Sequence, residues 1–269
     1  MDHYQQYFRF TRQGIDRDIH RMASRKLVPP LVRALEHMDL EPRATHDFAH
    51  LVRFQEARKD RMHLFQISNP VYQLGMNETN SFAVFLYRGE QAVGCAGVRL
   101  KWIETTLAEE LSSLRFYYDD VPGMAKAGER CVVTAPTARL IEACPVVVSV
   151  SLCVDRDQAN FAAVPPLMRL LFLWAAVHWR WSWLIGLAER PAARTYAYDV
   201  YGFAGAELGV WRTRPTDVVQ PDGEMPLHEF MLLTAPRRHS MATFLRADVG
   251  DVGRPLGQPM SAMVEEAAA

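Results

Sequence analysis

His46 and His50 stand four residues apart in a segment with helical spacing, so both imidazoles could face one metal ion. Six of the nine histidines fall by residue 63, at positions 3, 20, 37, 46, 50 and 63. No Glu-x-x-His pair or cysteine completes a ligand set, so loose helix-surface histidines are the plainer reading and no metal is expected. Ser112, Ser113, Ser149 and Ser151 lack a Gly-x-Ser-x-Gly setting, which argues against a hydrolase elbow. Cys95, Cys131, Cys144 and Cys153 form no Cys-x-x-Cys pair and sit in apolar stretches, as reduced, packed thiols of a cytoplasmic protein would. Arg99, at a strand end, could anchor a carboxylate or serve as a salt-bridged edge residue. Tyr196, Tyr198 and Tyr201 share a helix-patterned segment, and the spacing lets Tyr198 and Tyr201 face one side. Glu142 and Asp155 are the carboxylates nearest the run Pro145–Val154, along which alternation puts Ser149, Ser151 and Cys153 on one face.

The elements that must position these groups follow from periodicity. Residues 2–10, 15–24 and 30–37 have helix spacing, punctuated by Pro29-Pro30 and Pro42, and a further helix is expected over 45–62. From Ser81 the period changes to two. SFAVFLY, the turn Arg88-Gly89-Glu90 and QAVGCAGVRL predict a β-hairpin. Residues 104–114 are expected to be helical, and Asp119–Gly123 a loop. The β-branched run PVVVSVSLCV at 145–154 predicts a central strand. Pro165-Pro166 opens a helix to about Arg180, since proline is tolerated in a first turn. A buried strand over 181–187, a helix over 191–201 stopped by Gly202, and strands over 206–213 and 227–234 complete the pattern. The order predicts an α/β or α+β fold around one mixed sheet. Residues 1–44 would form a helical extension, 45–235 the main domain, and 236–269 a partly disordered tail.

The chain has 269 residues, 30 Lys+Arg and 31 Asp+Glu, for a net charge of −1. That balance excludes a basic nucleic-acid surface. The N-terminus is polar from its second residue, unlike a signal peptide. The most apolar stretch, 167–187, carries Arg169, His178 and Arg180, so it predicts a buried segment rather than a membrane span.

From Val146 to Phe203 the order and local sequence resemble the GCN5-related N-acetyltransferase superfamily. The equivalents are VVVSVSLCVDRD (146–157), the Pro165 helix, WSWLIGLAE (181–189) and RTYAYDVYGF (194–203), with Tyr198 four residues before Gly202-Phe203. The resemblance implies a mixed, mostly antiparallel sheet flanked by helices, in which the central strand and the next parallel strand splay apart. It implies that backbone amides near Leu152 and Val154 polarise a thioester carbonyl. It further implies that the stretch Ala159, Asn160, Phe161, Ala162, Ala163 and Val164 cradles the pyrophosphate of acyl-CoA at a helix N-terminus. Tyr198 would protonate the departing thiolate. Glu142 would be the general base and Arg99 the acceptor's anchor.

The departures from the family pattern are specific. The family loop reads Gln/Arg-x-x-Gly-x-Gly/Ala; Ala159 replaces its leading polar residue, and Ala162 and Val164 replace its glycines. Pro191 stands where the family often has a pantetheine-binding Asn. The segment Gly94–Leu100 faintly resembles a strand of the acyl-homoserine-lactone synthases, which with the N-acyl amino acid synthases can take acyl chains from acyl carrier protein. The function implied is acyl transfer from acyl-CoA or acyl carrier protein to a small-molecule amine. The alternative is a degenerate fold that binds a ligand or a protein without catalysis, with the helical N-terminal segment as a surface for a partner or second copy.

Overall fold

In the computed structural model, the run Pro145–Val154 that the sequence marks as central lies fourth in an eight-stranded sheet. The structure describes residues 26–58, 66–155, 161–189, 202–214, 217 and 224–246. The strands are β1 (Glu41–Thr45), β2 (Ser81–Arg88), β3 (Gln91–Ile103), β4 (Cys131–Val133), β5 (Cys144–Val154), β6 (Trp183–Glu189), β7 (Gly205–Arg212) and β8 (His228–Pro236). Their order across the sheet is β1-β2-β3-β5-β6-β8-β7-β4. Among these strands only β5 and β6 pair in parallel. The helices are α1 (Val28–Glu36), α2 (Phe48–Glu56), α3 (Leu107–Ser112), α4 (Val121–Met124), α5 (Pro136–Leu140), α6 (Val164–His178) and α7 (Arg237–Arg246). This mixed, mostly antiparallel sheet flanked by helices is the architecture that the resemblance implies.

Helix α6 is apolar around its whole circumference, from Leu167 and Leu170 to Phe172 and Ala176. Such a helix must be covered on all sides. One side packs on the sheet residues Val84, Val98 and Val147, and the others meet Leu31 and Leu35 of α1 and Phe244 of α7. Truncating one of these residues, as in Leu170→Ala, costs about 2–5 kcal/mol. Burial explains the apolar stretch 167–187. No helix among the described residues is long and apolar enough to cross a membrane. The opposite sheet face is covered by Phe48, Leu51 and Phe54 of α2, Leu107 and Leu111 of α3, and Phe116–Tyr118.

The hairpin forms where the sequence predicts it, with Gly89 at φ +57° in its turn. Residues 41–45, which carry no alternation, form the edge strand β1 against β2, and the following helix begins at Phe48, capped by Asp47. Beyond Pro236, where the apolar pattern weakens, α7 packs Phe244 into the core beside Phe172, the two rings stacked 5.5 Å apart.

Candidate functional site

The parallel pairing of β5 and β6 is short. It runs Val146↔Trp183, Val147↔Leu184, Val148↔Ile185 and Ser149↔Gly186, and stops. Both strands continue on separate partners, β5 against β3 as far as Val154 and β6 against β8 as far as Glu189. A fork therefore opens in mid-sheet beyond Ser149 and Gly186. Gly186 stands at its root, close under Phe203. A Cβ there would lie 3.0 Å from Phe203 Cζ, so Phe203 packs over the last paired residue.

One arm of the fork carries a β-bulge. Cys95 and Gly97 of β3 face Cys153 and Val150, so Ala96 opposes two residues, Ser151 and Leu152. Ser151 adopts φ +64°, a left-handed conformation that costs a non-glycine residue about 1–2 kcal/mol. The bulge reverses the face alternation. Val150 packs with α2 and α3, whereas Leu152 and Val154 pack towards α6. Cys153 consequently lies on the face opposite to that expected from simple alternation with Ser149.

The bulge also sets where the amides point. Asp155 donates its N–H to Val93 O at 2.8 Å, towards β3. By alternation, the Val154 and Leu152 N–H groups are directed to the other side, into the space that β6 has left.

The 3₁₀ turn Phe161–Ala163 leads into α6 at the same end of β5. Ala163 is the N-cap, with no side-chain capping bond, and prolines occupy the second and third helical positions. A helix N-terminus ordinarily offers free N–H groups in its first turn. Pro165 and Pro166 remove two of them, leaving this end a reduced set of donors for an anion. Ala163 and Val164 are buried in the core. Ala159, Asn160, Pro191 and Tyr198 lie outside the described residues.

The remaining expected site residues are placed elsewhere. Glu142 is exposed, two residues before β5, at the end remote from the fork. Seven residues of extended chain separate it from Ser149, roughly 23 Å. The structure does not bring it to Leu152 and Val154. Arg99 is 2% exposed on the α2 and α3 face. Its guanidinium donates to Gln73 Oε1 and stands 3.9 Å from Asp119 Oδ1. It is an internal ion pair, not an anchor presented to a ligand. Alternation could not reveal this, because the loop carrying Asp119 and Gln73 folds over the sheet from outside the strand pattern. Lys101 Nζ shares Asp119 at 3.7 Å, and burial, reinforced by the neighbouring Arg99 charge, lowers its pKa to about 8. His46 Nδ1 is 2.8 Å from Ser81 O, and His50 packs edge-on to Phe85. The two histidines converge on no common ligand, and no metal-binding group of side chains occurs among the described residues.

Charged pairs flank the fork's mouth. On the β5 arm Arg58 lies 3.5 Å from Asp155. On the β6 arm Arg214 Nη2 donates to Glu189 Oε1 at 2.6 Å. Asp217 and His228, close beside this pair, carried no signal in the sequence, since neither belongs to a motif.

No protein-family model matches the chain, and no curated protein sequence does. Solved structures do show similarity. FeeM, an N-acyl amino acid synthase from uncultured soil microbes, matches over 76% of this chain and 94% of its own, at 11% identity and a TM-score of 0.40. NAA60 of Arabidopsis thaliana in complex with acetyl-CoA matches over 74% and 99%, at 10% identity and a TM-score of 0.42. The same protein with a bisubstrate analogue matches over 73% and 98%, at 10% identity and a TM-score of 0.41.

Proposed function

We propose that the chain is an N-acyltransferase that moves an acyl group from a thioester donor, acyl-CoA or acyl carrier protein, to a small-molecule amine. The observation that carries this reading is the fork beyond Ser149 and Gly186, into which strand alternation would direct the Leu152 and Val154 amides. A thioester carbonyl placed there would meet fixed donors that strengthen as its oxygen gains charge, at no reorganisation cost. The donor's arm would run towards the start of α6, where the amides of Ala163 and Val164 would meet its phosphates. Tyr198 would give its proton to the leaving thiolate. The amine attacks the carbonyl carbon directly, the C–S bond breaks, and amide and thiol leave.

The test is thiol release from a panel of acyl-CoA and acyl-carrier-protein donors with amino acids and simple amines, with Tyr198→Phe as control. Turnover that falls in the variant supports the reading. No turnover with any donor, or an unchanged variant, counts against it. A second reading, a ligand-binding fold without catalysis, draws on one observation, the loss of two N–H donors at Pro165 and Pro166. Calorimetric titration with CoA and long-chain acyl-CoA separates the two. Tight binding without turnover favours the second.

A further inference from the structure

The β6 arm carries two side chains that the reading above leaves unused. His228 opens β8, and its Nε2 lies 3.3 Å from Asp217 Oδ1 and 3.2 Å from Oδ2. The Asp217 carboxylate also accepts the backbone N–H of Arg214, whose guanidinium holds Glu189, the last residue of β6. Register places Phe230 opposite Glu189, so His228 stands two residues past the end of β6, roughly 7 Å further along the neighbouring strand. The pair therefore sits at the end of the sheet where the fork opens, on β8, one strand beyond the β6 arm.

The face matters as much as the position. Phe230 and Leu232 pack in the core under α2 and α3, so alternation directs His228 to that face as well. Helix α6, which would hold the donor, covers the opposite face. A nucleophile and a thioester meeting across the fork would approach from these two sides. Asp217 fixes one ring nitrogen, while Nδ1 makes no hydrogen bond among the described residues, and the side chain is 27% exposed. A carboxylate that orients one nitrogen and leaves the other free is the arrangement a general base needs. The charged groups around the ring are Asp217 and Arg214 from the loop after β7, Arg212 directly opposite on β7, and Glu189 from β6. β5 itself carries no carboxylate, and Asp155, the residue after it, is paired with Arg58.

We propose that His228, oriented by Asp217, is the general base of the acyl transfer, which rests on the acyltransferase reading above. Nδ1 takes a proton from the amine as its nitrogen bonds to the thioester carbonyl carbon. The C–S electron pair goes to sulfur, which takes a proton in turn, so one amine proton is exchanged for one thiol proton. The experiment uses the donor and amine pair that gives thiol release with the wild type in the panel above, in the full-length chain. His228→Gln keeps an N–H for Asp217 but cannot titrate. It is expected to lower kcat by about 10²–10³-fold. It should also leave the donor's KM in place and abolish the acid limb of the pH–rate profile. Imidazole added to His228→Ala should restore turnover, which a merely structural role for the ring would not allow. Wild-type kcat and an intact acid limb in His228→Gln would overturn this assignment and leave the acyltransferase reading standing. Absence of thiol release by the wild type with every donor would overturn both.

Discussion

Lys101→Met should make the protein more stable at neutral pH, and the advantage should shrink as pH rises. The Lys101 side chain is 9% exposed, with Arg99 beside it and Asp119 at 3.7 Å. Burial holds its pKa at about 8, against 10.5 for the ordinary group. The unfolded chain therefore binds a proton that the native state resists between those values, and native stability rises with pH across that window. At pH 7 the native ammonium carries a penalty of about 3 kcal/mol, from roughly 1.4 kcal/mol per unit over a shift of some 2.5 units. By pH 9.5 about 2 kcal/mol of this has gone, because native Lys101 is neutral while the unfolded lysine is still charged. Methionine fills a similar volume without a charge. The assay is urea unfolding of both proteins at pH 7, 8, 9 and 9.5, reading the difference between them. Tyrosines and cysteines that also titrate in alkali contribute equally to both and cancel. The variant's advantage should fall by about 2 kcal/mol between pH 7 and 9.5. A gap that stays flat, or a variant less stable at pH 7, would refute the reasoning.

Other perturbations follow from the same packing. Gly202→Ala should cost about 2–4 kcal/mol, read as a lowered urea midpoint, because φ is +66° and the new methyl would lie 2.9 Å from the Phe244 ring. Asp119→Ala should destabilise by about 3 kcal/mol in the same assay, since it strips the carboxylate from the buried Arg99 and Lys101 together. Iodoacetamide should label the native protein only at Cys144 and Cys153 by mass spectrometry, and all four cysteines after denaturation. Cys95 and Cys131 are buried, and burial raises both thiols.

Much of the positioning frame was legible because it is written in local patterns. The β-branched run at 145–154 could only be a covered strand, and Pro165-Pro166 followed by a largely apolar segment reads as a buried helix. The strands that escaped, β1 and β4, are short and at the sheet's edges, where so little of either face is buried that no alternation shows. The amides of Leu152 and Val154 came through resemblance, and the bulge that aims them is invisible in composition, since Ser151 takes a conformation usually left to glycine. Arg99 was misjudged as a ligand anchor because its partners, Gln73 and Asp119, come from loops 26 and 20 residues away in the chain. Asp217 and His228 escaped for the same reason. Their pairing is made where the loop after β7 folds back on the start of β8, which no local pattern encodes.

The short seam between β5 and β6 divides the sheet mechanically. On one side stand β1, β2, β3 and β5, on the other β6, β8, β7 and β4, each quartet held by antiparallel ladders. Four residue pairs stitch the quartets together, and α6 is the strap that joins the end of one to the start of the other. Opening such a body would load this four-pair seam first. A guest in the gap would therefore bear on the last pair of that seam, at Gly186, with Phe203 packed over it.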